Sequence, residues 1–164
     1  MLRVLLILAI LLTSPALAQT VHLGTGEGHS STIRLLKINA DQDLLLSSGY
    51  DKKVVLWNIR EERSIAMVDV SSGLLKQASF WKKAEEEGFM LLLNPGIYQY
   101  SQQTGVKEYA LSGELLGEYL YPENTKEFVA QDALYYAGGD SLLILSFSEI
   151  RSYARGNYSV SWVW

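Results

Sequence analysis

The chain has 164 residues, with 18 acidic against 14 basic side chains, a formal net charge of −4 and no cysteine. That mild acidity leaves no basic face for nucleic acid or anionic lipid, and the lack of cysteine excludes a fold stapled by disulfides. With 48% apolar residues and no low-complexity tract, the chain can bury a core rather than stay disordered.

The N-terminus reads Met1-Leu2-Arg3, then an uninterrupted apolar run from Val4 to Leu12, then Thr13-Ser14-Pro15-Ala16-Leu17-Ala18. One positive charge, a short apolar stretch and a small-x-small ending are the three parts of a secretory signal peptide. The apolar run is far shorter than the roughly 20 residues that cross a bilayer. Cleavage after Ala18 is therefore expected, leaving residues 19–164 as a soluble periplasmic or secreted domain with no membrane span. No cysteine follows the cleavage site, so lipid attachment is not expected.

Gly24-Thr25-Gly26-Glu27-Gly28 comes next, too early and too irregular for a dinucleotide loop, and reads as a flexible entry segment. Beyond it, Ile33, Leu36 and Ile38 form a first apolar run that ends at the turn Asn39-Ala40-Asp41-Gln42-Asp43. Leu44-Leu45-Leu46, the turn Gly49-Tyr50-Asp51-Lys52-Lys53 and Val54-Val55-Leu56-Trp57 follow, and a fourth run spans Ser64 to Val70. Short β-rich runs separated by Asp, Asn and Gly turns predict an antiparallel meander of four strands.

The order repeats. The apolar run Phe89 to Leu93, Asn94-Pro95-Gly96, Ile97 to Tyr100 and Val106 to Leu111 form a second copy; Ala133 to Ala137, Gly138-Gly139-Asp140 and Leu142 to Leu145 form a fainter third. A period of about 40–45 residues carrying four strands is the size of a propeller blade. The expected fold is all-β: antiparallel four-stranded repeats of a β-propeller, about three blades in all. The divisions fall at residues 28–70, 71–111 and 112–155, with the alternating segment 156–164 opening a fourth.

Gly28-His29, the distal Trp57-Asn58 and Asp51 ahead of that tryptophan together resemble a WD (tryptophan–aspartate) repeat, with Asn58 where the family usually has Asp. The second copy aligns Asn94 with Asp51 and Tyr100 with Trp57, without a Gly-His pair, and the third aligns Ser146 with Trp57. The resemblance implies a buried hydrogen-bond chain in which Asp51 accepts from one ring nitrogen of His29, the other nitrogen accepts from Ser47, and Ser47 accepts from the Trp57 indole. The same three residue types compose a Ser-His-Asp triad. A nucleophilic serine needs an exposed turn and oxyanion donors, whereas Ser47 closes the apolar run Leu44-Leu45-Leu46. A structural fastener is therefore expected, with no catalytic residue.

Other candidates are weaker. His22 and His29 are the only histidines and have no zinc spacing. Asp41 and Asp43 alternate like a calcium loop but lack its glycine and distal glutamate. Lys82-Lys83-Ala84-Glu85-Glu86-Glu87 reads as a solvated hairpin end or a helical turn, and Asn157-Tyr158-Ser159 is a glycosylation sequon that matters only in a eukaryotic source. No cofactor or metal is expected. Tyr50, in the turn beside Asp51, and Ser31 are the candidate rim contacts for a protein or peptide partner, which is the use the resemblance implies. A fragment of a periplasmic propeller enzyme, a quinone-dependent dehydrogenase or a hydrolase, is the competing class, with sugar binding a third. A complete chain of this length would need several copies to close a ring, hence a homo-oligomer.

Overall fold

The computed structural model of the chain describes residues 28–94, 105–120, 130–146, 149–155 and 160–163. Twelve strands fill them: β1 (Ile33–Ile38), β2 (Leu44–Gly49), β3 (Lys53–Asn58), β4 (Arg63–Asp69), β5 (Leu74–Lys83), β6 (Glu86–Asn94), β7 (Gly105–Ala110), β8 (Leu115–Leu120), β9 (Asp132–Tyr136), β10 (Ser141–Leu145), β11 (Ile150–Ala154) and β12 (Val160–Val163). They form three antiparallel four-stranded sheets in sequence order, β1–β4, β5–β8 and β9–β12. The only helical element described is the short 3-10 turn Ala137–Gly139.

Local chemistry sets the turns. Asn39 closes the β1–β2 loop through its side-chain oxygen, which accepts from the amides of Asp43 (3.1 Å) and Leu44 (3.0 Å). Asn58 does the same after β3, accepting from the Glu61 amide at 3.0 Å. Gln42, Lys52, Glu62 and Ala84 take positive φ, one in each of the first four hairpins. Asp41 and Asp43 are accordingly turn residues, and Asp43 accepts from the Asn39 amide at 2.7 Å.

The sheets stack face to face. Leu44, Leu46, Val54, Leu56 and Val68 of the first sheet pack on Ala78, Phe89, Leu91, Leu93 and Tyr109 of the second. The opposite face of the second sheet, with Trp81, Met90, Leu92, Val106 and Tyr119, packs on Ala133, Leu142, Ile144 and Tyr153 of the third. Burying these faces against each other drives the stacking. The first strands are neighbours in turn, β1 touching β5 and β5 touching β9. The Gln77 side chain sews the second such contact by pairing with both backbone groups of Ala133, at 3.0 and 2.9 Å.

The register differs from the expected divisions. The second sheet runs on to Leu120, and the third begins at Asp132 and ends with Val160–Val163. Segment 160–163 pairs with β11, Arg151 opposite Val163, and so closes the third sheet rather than opening a fourth. Alternation has the same period in a first and a last strand, and only the pairing partner tells them apart.

A shared irregularity aligns the repeats. The pairing of the third strand with the fourth shifts between Leu56 and Trp57, between Glu108 and Tyr109, and between Ser152 and Tyr153. Trp57, Tyr109 and Tyr153 sit opposite Leu45, Phe89 and Leu142 of the second strands. These three aromatics occupy equivalent positions, so Ser146 is not the counterpart of Trp57. Ser146 follows β10, a second strand, and accepts from the Glu149 amide at 3.0 Å. Asn94 ends β6, also a second strand, where its amide donates to the Ala130 carbonyl at 2.9 Å. Tyr100 lies outside the described residues, as do the signal segment, His22, Gly24 to Glu27 and the sequon.

The run Lys82–Glu87 forms the tip of the long β5–β6 hairpin. Successive strand residues point to opposite faces, so Lys82 reaches back to Asp41 on the first sheet (3.1 Å) and Lys83 reaches forward to Asp140 on the third. Both bridges are solvent-exposed, so each contributes little stability. A different pair crosses the seam between the second and third sheets: Glu108, 1% exposed, meets Arg155 at 2.5 Å. The Arg155 guanidinium lies 3.8 Å over the Trp81 ring. Burial, with the Glu108 carboxylate adding to it, holds the Tyr135 phenol well above its usual pKa, so it stays neutral. Glu108→Ala leaves the guanidinium buried without its partner and is expected to cost about 3–5 kcal/mol. Urea unfolding checks this, and the double variant Glu108→Leu/Arg155→Met is expected to regain most of the loss.

Candidate functional site

His29 lies just ahead of β1, Ser47 on β2, Asp51 in the β2–β3 turn and Trp57 on β3, and the fold brings all four together. The Trp57 indole donates to Ser47 Oγ at 2.7 Å, and Ser47 Oγ stands 2.8 Å from His29 Nε2. His29 Nδ1 lies 2.9 and 3.0 Å from the two oxygens of Asp51. The Asp51 carboxylate can only accept, so His29 Nδ1 carries the proton it receives, and Nε2 of the neutral ring then accepts from the Ser47 hydroxyl. Every link is thus a donor facing an acceptor.

Asp51 collects further donors. The amides of Ser30 (2.8 Å) and Lys53 (3.3 Å) point at it. Burial opposes ionisation of its carboxyl, but the hydrogen bond from His29 and these two amides outweigh burial and lower its pKa. The side chains of His29 and Asp51 are 2% and 4% exposed, and Ser47 is 1% exposed. A hydroxyl buried in this way, with donor and acceptor capacity both in use, has no open side for a substrate carbonyl.

Gly49 makes the room for this arrangement. A Cβ there would stand 3.0 Å from Asp51 Oδ1, 3.0 Å from the Thr32 carbonyl and 3.1 Å from His29 Nδ1. Sequence reasoning used Gly49 only as a turn signal. It missed Glu108 and Arg155 as well: Glu108 follows Lys107 in β7 and reads as half of a solvated charge pair, and nothing in the sequence ties it to Arg155.

The rim residues lie at the same end of the first sheet. Ser31 is exposed in the entry loop, and Tyr50 is 62% exposed, its amide donating to the Thr32 carbonyl at 3.0 Å. The Arg34 guanidinium sits 4.8 Å from the Tyr50 ring centroid, a cation–π contact that orients both side chains at the surface.

No protein-family model matches the chain, and no curated protein matches it. Among solved structures, it is similar to the crystal structure of the β-propeller domain of Cps50 (Swd1) from Myceliophteria thermophila, with a TM-score of 0.63 and 18% sequence identity. The match covers 84% of this chain and 43% of that one, so the chain spans less than half the length of its structural relative. At that identity the likeness defines the fold: the chain is a partial β-propeller of three described antiparallel sheets.

Ser47→Ala leaves both the Trp57 indole and His29 Nε2 without a partner and is expected to cost about 1–3 kcal/mol in urea unfolding. The acid limb of stability is a separate check. The Asp51 carboxyl titrates lower when folded than its usual 3.8, so the stability it contributes is complete above that value and is lost as pH falls through the lower folded one. Thermal melts taken from pH 6 downward are therefore expected to fall more steeply below about pH 4 in the native chain than in Asp51→Asn.

Proposed function

We propose that the chain is an exported WD-type propeller module that holds a protein or peptide partner at the rim bearing Ser31 and Tyr50, and that it carries out no catalysis of its own. The observation that carries this reading is the state of Ser47. Its hydroxyl is buried and donates to His29 while accepting from Trp57, so the Ser-His-Asp set serves as a fastener between strands. What remains open at that end is an exposed tyrosine held by an arginine, and large rigid aromatics beside arginine are the side chains that anchor interfaces.

The WD assignment rests on Gly28, His29, Asp51 and Trp57 and on the bonds that link the last three. The likeness to a propeller domain supports the scaffold role through fold alone. Export rests on the charged, apolar and small-residue order of residues 1–18.

Two measurements test the reading. A fluorophosphonate probe applied to the native protein is expected to leave Ser47 unlabelled; labelling that disappears in Ser47→Ala would establish a nucleophile and overturn the fastener. Panning a displayed peptide library on the folded chain is expected to enrich sequences whose affinity falls about tenfold or more in Tyr50→Ala, the loss typical of an interface anchor. Enriched peptides that bind Tyr50→Ala undiminished would move the partner away from this rim.

A further inference from the structure

The first strands of the first two sheets share one irregularity near the same end. Where β1 pairs with β2 the register skips Arg34, and where β5 pairs with β6 it skips Lys76. No such shift interrupts the pairing of β9 with β10. A bulge of this kind takes its side chain out of the regular alternation, and both Arg34 and Lys76 are exposed. Because β1 touches β5, the two cations stand on neighbouring strands, toward the end that carries Tyr50.

Two properties of this edge point to a partner of opposite charge. The first is charge that the fold does not use. At the other end of the sheets Lys82 and Lys83 are matched by Asp41 and Asp140. Arg34 and Lys76 form no ion pair among the described residues, Asp132 at the start of β9 included. Lys52 and Lys53, in the turn with Tyr50, add to the positive side. Against them stand Asp51, buried and bonded to His29, and Asp69, which pairs across the sheet with Lys53. The second property is the pose of Arg34, whose guanidinium lies over the Tyr50 ring at 4.8 Å. The ring occupies the face of the cation, while its N–H groups lie in the guanidinium plane and stay open to a carboxylate. Ile33 (45% exposed) and Leu74 (54% exposed) flank the two bulges and offer apolar contact.

We propose that this edge extends the Tyr50 rim into a site for an acidic peptide whose carboxylates alternate with apolar side chains. The inference rests on the rim reading and adds to it the chemistry of the partner. Arg34 and Lys76 take successive carboxylates, and Tyr50, Ile33 and Leu74 take the side chains between them. Charges at the border of an interface select the partner and speed its approach more than they tighten the complex.

Fluorescence anisotropy of the full chain with two short labelled peptides tests it. One peptide alternates glutamate with leucine and phenylalanine; the other carries glutamine for every glutamate. The acidic peptide is expected to bind, to bind less as salt rises, and to exceed its glutamine form by about tenfold or more. Lys76→Glu leaves the Arg34–Tyr50 contact in place and is expected to erase that preference, whereas Lys76→Arg is expected to keep it. Tyr50→Ala is expected to weaken both peptides. Near-UV circular dichroism shows that each variant keeps its packing. Equal binding of the two peptides that still depends on Tyr50 would overturn the acidic partner and leave the rim reading standing. Binding of the acidic peptide that ignores Tyr50→Ala would overturn the rim reading and with it this extension. No binding of either peptide, a glutamate preference unchanged in Lys76→Glu, or an oligonucleotide that displaces the acidic peptide as readily as its unlabelled form would also overturn the proposal.

Discussion

The first sheet is organised around one imidazole with both nitrogens committed. His29 gives a proton to Asp51 and receives one from Ser47, which in turn receives one from Trp57. The entry loop, β2, the β2–β3 turn and β3 are thereby held in one arrangement, because a slip in any of them would strand a buried donor or acceptor. Such groups cost free energy when unpaired, whereas apolar contacts in the neighbouring seam tolerate small shifts. Gly49 belongs to the same unit, since any larger residue there would crowd the His29–Asp51 contact.

The other two sheets reach the same geometry by other chemistry. Tyr109 and Tyr153 occupy the place of Trp57, but Leu91 and Ile144 stand where Ser47 would be. Tyr109 stacks on Phe89 with ring centroids 5.2 Å apart, and Tyr153 meets Tyr119 edge-on at 5.6 Å. Aromatic packing replaces the polar fastener there, and the buried Glu108–Arg155 pair adds a charged tie across one seam only. A single template is thus filled in three chemically different ways, which is why only the first copy resembles a WD repeat in sequence.

That difference also explains what could be read in advance. Antiparallel pairing and the grouping by fours followed from apolar runs between Asn, Asp and Gly turns, and the first sheet matched in detail because its turns are strongly marked, whereas the later copies were read with fewer strands than they have. In the second copy Asn94 ends a second strand, as the Asp51 turn follows one, but the strand paired next to it is Gly105–Ala110, the run read as a fourth strand; in the third copy Gly138-Gly139-Asp140 follows a first strand and is one strand out of step. Turn chemistry marks where strands end without saying which strand has ended. The lysine pair was read as a solvated hairpin end, which it is, and it also reaches a neighbouring sheet on either side, a relation that depends on sheet stacking and leaves no local trace.

The recurring offset before each outermost strand has a mechanical consequence. The register skips one residue, Ile65 in β4 and Leu116 in β8, at the same height in successive sheets. A register shift of this kind increases local twist and bends its strand, and it recurs at the same place in each sheet. The arc described by the stacked sheets is therefore encoded at their periphery, far from the apolar seams that hold them. Evolution could retune the curvature of such a molecule, and with it the number of sheets needed to complete a circle, by inserting or deleting single residues in its outermost strands without repacking any core.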